Sequence, residues 1–94
     1  MEIYKVHLTK NAAKELERLP QHIVLKLALW VEDVGRIGLS LVRKVPGYHD
    51  EPLKGKRQGQ RSIRLSKQYR AIYEIDEQNE TVQVRIVEVN KHEY

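Results

Sequence analysis

The chain has 94 residues, no cysteine, and a net charge of +4 from 17 basic and 13 acidic side chains. This length predicts one domain, residues 1–94, with a thin core and no room for a cofactor cavity. The lack of cysteine excludes disulfides, thiolate metal sites and a cysteine nucleophile, and it fits a cytoplasmic protein.

The chain begins with a predicted strand and a predicted helix. Residues Ile3–Leu8 alternate between two faces, which is typical of a strand. Thr9 is a suitable helix N-cap, and apolar residues at helical spacing then predict a helix to about Leu19. Neither these elements nor the longest apolar stretch, Ile23–Val34, predicts a signal peptide or a membrane span, which needs about 20 apolar residues.

A second helix should follow almost without a linker. Pro20 ends the first helix and suits the first turn of the next, which should close near Gly35 or Gly38. Leu39–Pro52 contains two prolines and predicts mostly irregular chain with one more helical turn. The positions that should face the core from the two helices are Ala12, Ala13, Leu16, Leu19, Ile23, Leu27, Trp30, Val31 and Val34.

The last third of the chain changes to a period of two. Three strands are predicted at Arg61–Leu65, Tyr69–Ile75 and Val82–Val89. Ser66–Gln68 and Asp76–Thr81 form polar connections of hairpin length. The order predicts an α+β fold: an N-terminal strand, a helical hairpin and three antiparallel strands, with the helices on one face of a small sheet. The other face is then open for function.

Basic residues concentrate between Glu51 and Tyr73. This segment holds Lys54, Lys56, Arg57, Arg61, Arg64, Lys67 and Arg70, against Glu51 as its single acid. Such a block attracts polyanions and favours contacts with RNA phosphates. The alternative interpretation, a solvated charged face, is the more common one for a charge cluster taken alone.

Strand periodicity indicates where two of these arginines point. In Tyr69–Ile75, Ala71 and Tyr73 share a face that should pack on the helices, so Arg70 should lie on the open face. Arg64 should lie on the same face of the preceding strand. Two guanidinium groups side by side would form a phosphate clamp, because each can hold phosphate oxygens through two hydrogen bonds.

The C-terminus adds residues suited to RNA chemistry. The predicted last strand runs to Val89, so Lys91–Tyr94 follows the sheet edge directly. His92 can transfer protons near neutral pH, and Tyr94 offers a ring for an unstacked base. The alternative is a disordered tail without a function.

Cleavage of RNA without a metal needs a base, an acid and cations that stabilise the phosphorane. Metal sites and serine hydrolases need clustered ligands or a nucleophile elbow, and the sequence spacing shows neither. The residues considered were the acids Asp33, Asp50, Glu51 and Asp76, the histidines His7, His22, His49 and His92, and the serines Ser40, Ser62 and Ser66. We therefore expect no metal and no cofactor.

Four segments resemble the RelE/ParE toxin superfamily, and the pattern is similar to its RelE, YoeB and HigB branches. They are Glu51–Gly55 (EPLKG), Arg61–Leu65 (RSIRL), Tyr69–Tyr73 (YRAIY) and Val87–Tyr94 (VEVNKHEY). The order of one strand, a helical hairpin and three strands is also that of the superfamily fold. The resemblance therefore covers nearly the whole chain.

The resemblance implies a toxin that cleaves messenger RNA in the ribosomal A site and is neutralised by an antitoxin. It implies that Lys54, with Arg61 or Arg64, holds the phosphate and that Arg70 stabilises the transition state. Glu51 and His92 would exchange protons, with the acid and base roles unassigned between them, and Tyr94 would stack on a base. An amphipathic antitoxin segment should silence the toxin by covering Arg64 and Arg70 or by displacing the C-terminal tail.

Two other functions fit the same sequence. A ParE-like protein of the same fold inhibits DNA gyrase by binding and is not an enzyme, since fold alone does not determine function. An RNA-binding module without catalysis would explain the basic segment, but it leaves His92 and Tyr94 unexplained. The C-terminal pair, together with Glu51, favours the endoribonuclease.

Overall fold

A computed structural model describes the backbone of residues 2–78 and 81–91 and the side chains of residues 2–75, 89 and 90. The strands are β1 (Val6–Leu8), β2 (Glu51–Pro52), β3 (Arg61–Arg64), β4 (Tyr69–Gln78) and β5 (Thr81–Lys91). The helices are α1 (Lys10–Leu16), α2 (Gln21–Ile37) and α3 (Leu39–Val42), with 3-10 turns at Pro46–Tyr48 and Gly55–Arg57.

The five strands form one sheet in the order β1-β5-β4-β3-β2. Neighbours from β2 to β5 are antiparallel, whereas β1 lies parallel to β5. The predicted α+β fold, with an N-terminal strand and three antiparallel strands after the helices, is therefore confirmed. The helices between β1 and β2 carry the chain from one edge of the sheet to the other.

Local chemistry sets the helix ends. The Thr9 hydroxyl accepts the amide of Ala12 at 3.1 Å and caps α1 as predicted. Helix α1 stops at Leu16 rather than near Leu19, because the next three amides bond three residues back and tighten the turn. Helix α2 ends at Ile37, and its C-cap is Gly38, whose φ of 88° and ψ of 153° suit glycine.

The core lies between the helices and one face of the sheet. Trp30 of α2 packs against Tyr73 of β4 with ring centroids 5.1 Å apart. Of the predicted core positions on α1 and α2, those that are fully buried are Ala12, Ile23, Leu27, Trp30 and Val34. Leu16, Leu19 and Val31 are half-buried beside them, whereas Ala13 is exposed, contrary to its prediction.

Several strand predictions needed correction. The first strand is Val6–Leu8 and not Ile3–Leu8, because the Ile3 carbonyl accepts the amide of Leu39 at 2.9 Å and leaves the sheet. The predicted irregular segment before residue 53 contains the short edge strand β2 besides its helical turn. In the β4–β5 hairpin the strands also extend further than predicted, to Gln78 and from Thr81.

Candidate active site

The sheet face away from the helices carries a row of two arginines. Arg64 of β3 pairs directly with Arg70 of β4, and residues directly paired in a sheet share a face. Their strand neighbours Ile63 and Ala71 are buried in the helix-side core. Arg64 and Arg70 therefore lie side by side on the sheet face away from the helices, as the strand periodicity predicted.

A cleft opens on this face where β2, β3 and β4 meet. Its walls include both arginines, together with the candidate base Glu51. The residues lining it are His49, Glu51, Ser62, Ile63, Arg64, Ser66, Tyr69 and Arg70. Glu51 pairs with Ser62, which lies two residues from Arg64 along β3. Two residues of a strand span about 7 Å, so the backbone of Glu51 is displaced by about that distance, along the strands, from the backbone of the arginine pair.

Arg70 is less exposed than Arg64. Arg64 is exposed, whereas Arg70 is half-buried in mid-sheet. The Nε of Arg70 is shielded from solvent and has no hydrogen-bond partner among the described residues. Like charges paired across two strands destabilise a sheet, and a buried unsatisfied donor adds to that cost. An anion bound between the two side chains would relieve both effects.

The chain before the cleft is anchored by a buried aspartate. The side chain of Asp50 is fully buried and accepts a hydrogen bond from the Tyr73 hydroxyl at 2.6 Å. Its other oxygen accepts from Nε of Arg61 at 2.6 Å. Burial, and then the bond to Asp50, raise the pKa of Tyr73, so this phenol stays protonated and donates. Arg43 completes the network by donating to the Tyr73 hydroxyl at 3.2 Å.

This network corrects the placement expected for Arg61. The sequence grouped Arg61 with Arg64 as residues that hold RNA phosphate. Arg61 pairs with Tyr73 instead, and its side chain, 27% exposed, forms an ion pair with Asp50 on the helix side of the sheet. Residues three apart in a strand point to opposite faces, so Arg61 cannot share the open face with Arg64.

Glu51 and His49 flank the buried aspartate and lie together at the mouth of the cleft. Nε2 of His49 is 4.0 Å from Oε2 of Glu51, and the two side chains are 56% and 60% exposed. Both line the cleft with Arg64 and Arg70. The cleft therefore combines a carboxylate, an imidazole and two guanidinium groups. These are the functional groups that proton transfer and phosphate binding need.

The remaining cationic candidates do not line the cleft. Lys54 and Lys56 are exposed at the turn after β2, and Lys67 is exposed in the β3–β4 hairpin. Arg57 is half-buried, and it donates to the side-chain oxygen of Gln60 at 3.0 Å. Within the described residues these four side chains lie outside the walls of the cleft. Their position suits contacts with flanking phosphates better than contacts with a reacting one.

His92 and Tyr94 lie outside the described residues. The strand that leads to them is described: β5 ends at Lys91, which pairs with Tyr69, and Asn90 pairs with Arg70. The backbone of β5 therefore reaches the side of the cleft. The catalytic roles of His92 and Tyr94 stay predictions.

The sequence predictions missed several residues at this site. His49 and Asp50 had been considered for metal sites alone, and Tyr69 and Ser62 had no role. Asp50 could have been noticed as an acid within a basic segment, next to the candidate base. No feature of the sequence indicates that His49 has a left-handed backbone conformation.

Residues 2–78 and 81–91 contain no group of three or more His, Cys, Asp or Glu side chains arranged to hold a metal ion. None of the helices described is both long and apolar enough to cross a bilayer.

These observations define a small α+β protein whose open sheet face carries an acid, a histidine and two arginines in one cleft. A family model described as the ParE toxin of type II toxin–antitoxin systems, parDE, matches residues 6–93. The chain therefore belongs to this family of toxins. The prediction of a toxin from the RelE/ParE superfamily is confirmed.

Solved structures support the same fold. The YoeB/ParE toxin from Agrobacterium tumefaciens is 20% identical, with a TM-score of 0.69 over 95% of this chain and 99% of that chain. A chain of the RelBE2 toxin–antitoxin complex from Mycobacterium tuberculosis is 26% identical, with a TM-score of 0.68 over 96% and 99%. YafQ from E. coli is 16% identical, with a TM-score of 0.72 over 94% and 92%. Among curated protein sequences, none matches significantly.

Proposed function

We propose that this toxin is an endoribonuclease that cleaves messenger RNA at the ribosome without a metal ion. The proposal rests on the cleft, in which Glu51 lies two residues along the strands from the paired Arg64 and Arg70. A protein that acts by binding alone needs cations for a nucleic acid, but it has no need of a carboxylate beside them. A carboxylate repels phosphate, so its presence favours chemistry over simple binding.

The cleft supplies the parts of a transesterification. Glu51 removes the proton from a ribose 2′-hydroxyl, and the 2′-oxygen forms a bond to phosphorus. The bond from phosphorus to the 5′-oxygen breaks, and a protonated group of the site donates a proton to that oxygen. The products are a 2′,3′-cyclic phosphate and a free 5′-hydroxyl. Arg70 and Arg64 stabilise the charge that develops on the phosphorane oxygens.

The exposed lysines extend this site along the RNA. Lys54, Lys56 and Lys67 are exposed and would contact flanking phosphates, which adds salt-dependent affinity without selecting a sequence. Tyr94 would stack on a base, as the resemblance implies. The substrate and the ribosome place this activity in the cytoplasm.

A cognate antitoxin is the second partner that we propose. The matched family is one of toxin–antitoxin systems, and the Mycobacterium tuberculosis relative was solved as a toxin–antitoxin complex. On the helix side, away from the cleft, an apolar groove suits the apolar stripe of an amphipathic helix. The residues lining it are Leu8, Leu16, Val24, Leu27, Ala28 and Val31.

The decisive experiment measures cleavage directly. Purified toxin is mixed with programmed ribosomes and end-labelled messenger RNA in the presence of EDTA, in parallel with Glu51→Gln. We expect cleavage by the parent protein, with cyclic phosphate ends, and at least a 100-fold slower reaction for Glu51→Gln. Intact messenger RNA with the parent protein would overturn the proposal.

The family model that matches carries the name ParE, which favours the gyrase inhibitor as the second candidate. Expression of the toxin without its antitoxin separates the two. An endoribonuclease shortens ribosome-bound messages while chromosomal DNA stays intact. Gyrase-dependent DNA breaks with intact messages would identify the second candidate.

A further inference from the structure

The residue before Asp50 has an unusual backbone. His49 has φ 48° and ψ 49°, and within the described part of the chain it is the one non-glycine residue with positive φ. This conformation costs an ordinary L-residue about 1–2 kcal/mol, and glycine or asparagine is the usual choice there. The His49 side chain is 56% exposed, so packing of the core does not explain the imidazole.

Both chain neighbours of His49 are fixed. On one side, Tyr48 is buried, and its hydroxyl donates to Asp33 at 2.7 Å. On the other side, Asp50 is held by Arg61 and Tyr73. An exposed imidazole is therefore carried on a short backbone segment that is held at both ends. Such preorganisation is expected of a group that must meet a reacting atom.

We propose that His49 is a catalytic residue of this cleft, which donates the proton to the 5′-oxygen leaving group while Glu51 acts as the base. This assignment rests on the proposed endoribonuclease function and gives His49 the role that the resemblance implied for His92. At 4.0 Å from Glu51, the imidazole is too far for a hydrogen bond, so each group is available to the substrate. For a phosphodiester bound at the arginines, Glu51 would face the ribose 2′-hydroxyl and His49 the 5′-oxygen.

The charged and titratable side chains that line the cleft with His49 are consistent with this role. They are Glu51 from β2, Arg64 from β3, and Tyr69 and Arg70 from β4. The two guanidinium groups hold the phosphate, which leaves the imidazole and the carboxylate for proton transfer. The proton then moves from the imidazolium to the 5′-oxygen as the bond from phosphorus to that oxygen breaks.

The test uses His49→Asn, since asparagine is well suited to a left-handed backbone and the variant should unfold at or above the parent temperature. Single-turnover cleavage on programmed ribosomes is measured with a normal RNA and with an RNA whose scissile 5′-oxygen is replaced by sulfur. A thiolate leaves without protonation, because the pKa of a thiol is about 8.5. Loss of a proton donor is therefore rescued by sulfur, and loss of a base is not.

We expect His49→Asn to slow cleavage of the normal RNA by about 100- to 10,000-fold and to cleave the sulfur-containing RNA at the parent rate. Glu51→Gln should be slow on both. His22→Asn, which changes an exposed histidine on α2, should match the parent on both. A His49→Asn variant that is equally slow on both RNAs, or at the parent rate on both, would overturn the assignment. The assignment would also be overturned if the sulfur-containing RNA restored the cleavage rate of His92→Asn and not that of His49→Asn.

Failure of this inference is distinct from failure of the proposed function. If the parent protein cleaves neither RNA, the endoribonuclease proposal is wrong. If the parent protein cleaves both RNAs, and His49→Asn is equally slow on both or as fast as the parent on both, the endoribonuclease proposal stands. The proton donor is then a residue other than His49.

Discussion

Arg64 and Arg70 are direct cross-strand partners, so the sheet holds two cations side by side on its open face. Arg70 is half-buried, whereas Arg64 is exposed. Nothing in folding favours such a pairing. An anion bound between the two side chains would offset the repulsion between them.

Arg70→Ala should separate catalysis from binding. A fixed cation directed at developing charge acts on the transition state more than on the bound substrate, and one such donor contributes roughly 100- to 1,000-fold in rate. We expect that loss in single-turnover cleavage on ribosomes, with affinity nearly unchanged. Lys56→Ala, at the exposed turn, should instead weaken binding in a salt-dependent way and leave the saturated rate intact. If Arg70→Ala cleaves at the parent rate at saturation, Arg70 has no catalytic role.

Asp50→Ala should damage both stability and activity. Removing the carboxylate leaves the guanidinium of Arg61 and the Tyr73 hydroxyl without their acceptor, which costs roughly 1.5–3 kcal/mol. The 27% exposure of Arg61 keeps the cost below that of a fully buried pair. Urea unfolding measures the stability and single-turnover cleavage measures the activity. Glu32→Gln, an exposed change on α2, serves as the control, and equal stability of the two variants would refute the anchoring role.

Glu2 should make the fold sensitive to acid. Hydrogen bonds from the Ser40 hydroxyl, the Ser40 amide and the Ile3 amide lower the pKa of Glu2 from 4.5 to about 2. Because the folded pKa is the lower one, Glu2 stabilises the fold above pH 4.5, and that contribution is lost as the pH falls toward 2. Thermal unfolding of Glu2→Gln should therefore depend less on pH in this window, whereas Glu17→Gln should follow the parent. An unchanged pH dependence in Glu2→Gln would contradict the assignment.

Ala28→Lys should uncouple the toxin from its antitoxin. Ala28 is exposed and lines the apolar groove, so a lysine there places a charge where an apolar helix face would pack. We expect co-purification with the antitoxin from the native operon to fail while cleavage persists. The matched change Leu29→Lys lies on α2 outside the groove and should keep the complex. Loss of the complex in both variants, or in neither, would place the antitoxin elsewhere.

The fold could be predicted where the information is local. The stripe from Ile23 to Val34, the Thr9 cap and the alternation in β4 depend on residues within a few positions of one another. Arg64 and Arg70 could be placed on the open face for the same reason. The opposite orientation of Arg61 could be predicted in the same way, because Arg61 and Arg64 are three residues apart in one strand and so point to opposite faces.

The rest of the site depends on contacts between distant parts of the chain. Asp50 meets Tyr73 across 23 residues because β2, β3 and β4 pair in one particular register, and sequence spacing does not give that register. The same contact fixes the segment that carries His49 and Glu51. The parallel pairing of β1 with β5 likewise joins the two ends of the chain.

The groove and the cleft lie on opposite faces of the sheet, near opposite edges. In the strand order β1-β5-β4-β3-β2, the groove contains Leu8 of β1, and the cleft is formed by β2, β3 and β4. Three strand spacings, about 14 Å, separate β1 from β3. An inhibitor helix confined to the groove would leave the arginine pair open to RNA. Direct blockade of the substrate therefore requires an inhibitor with a second segment, linked by at least about five extended residues that pass around the sheet edge.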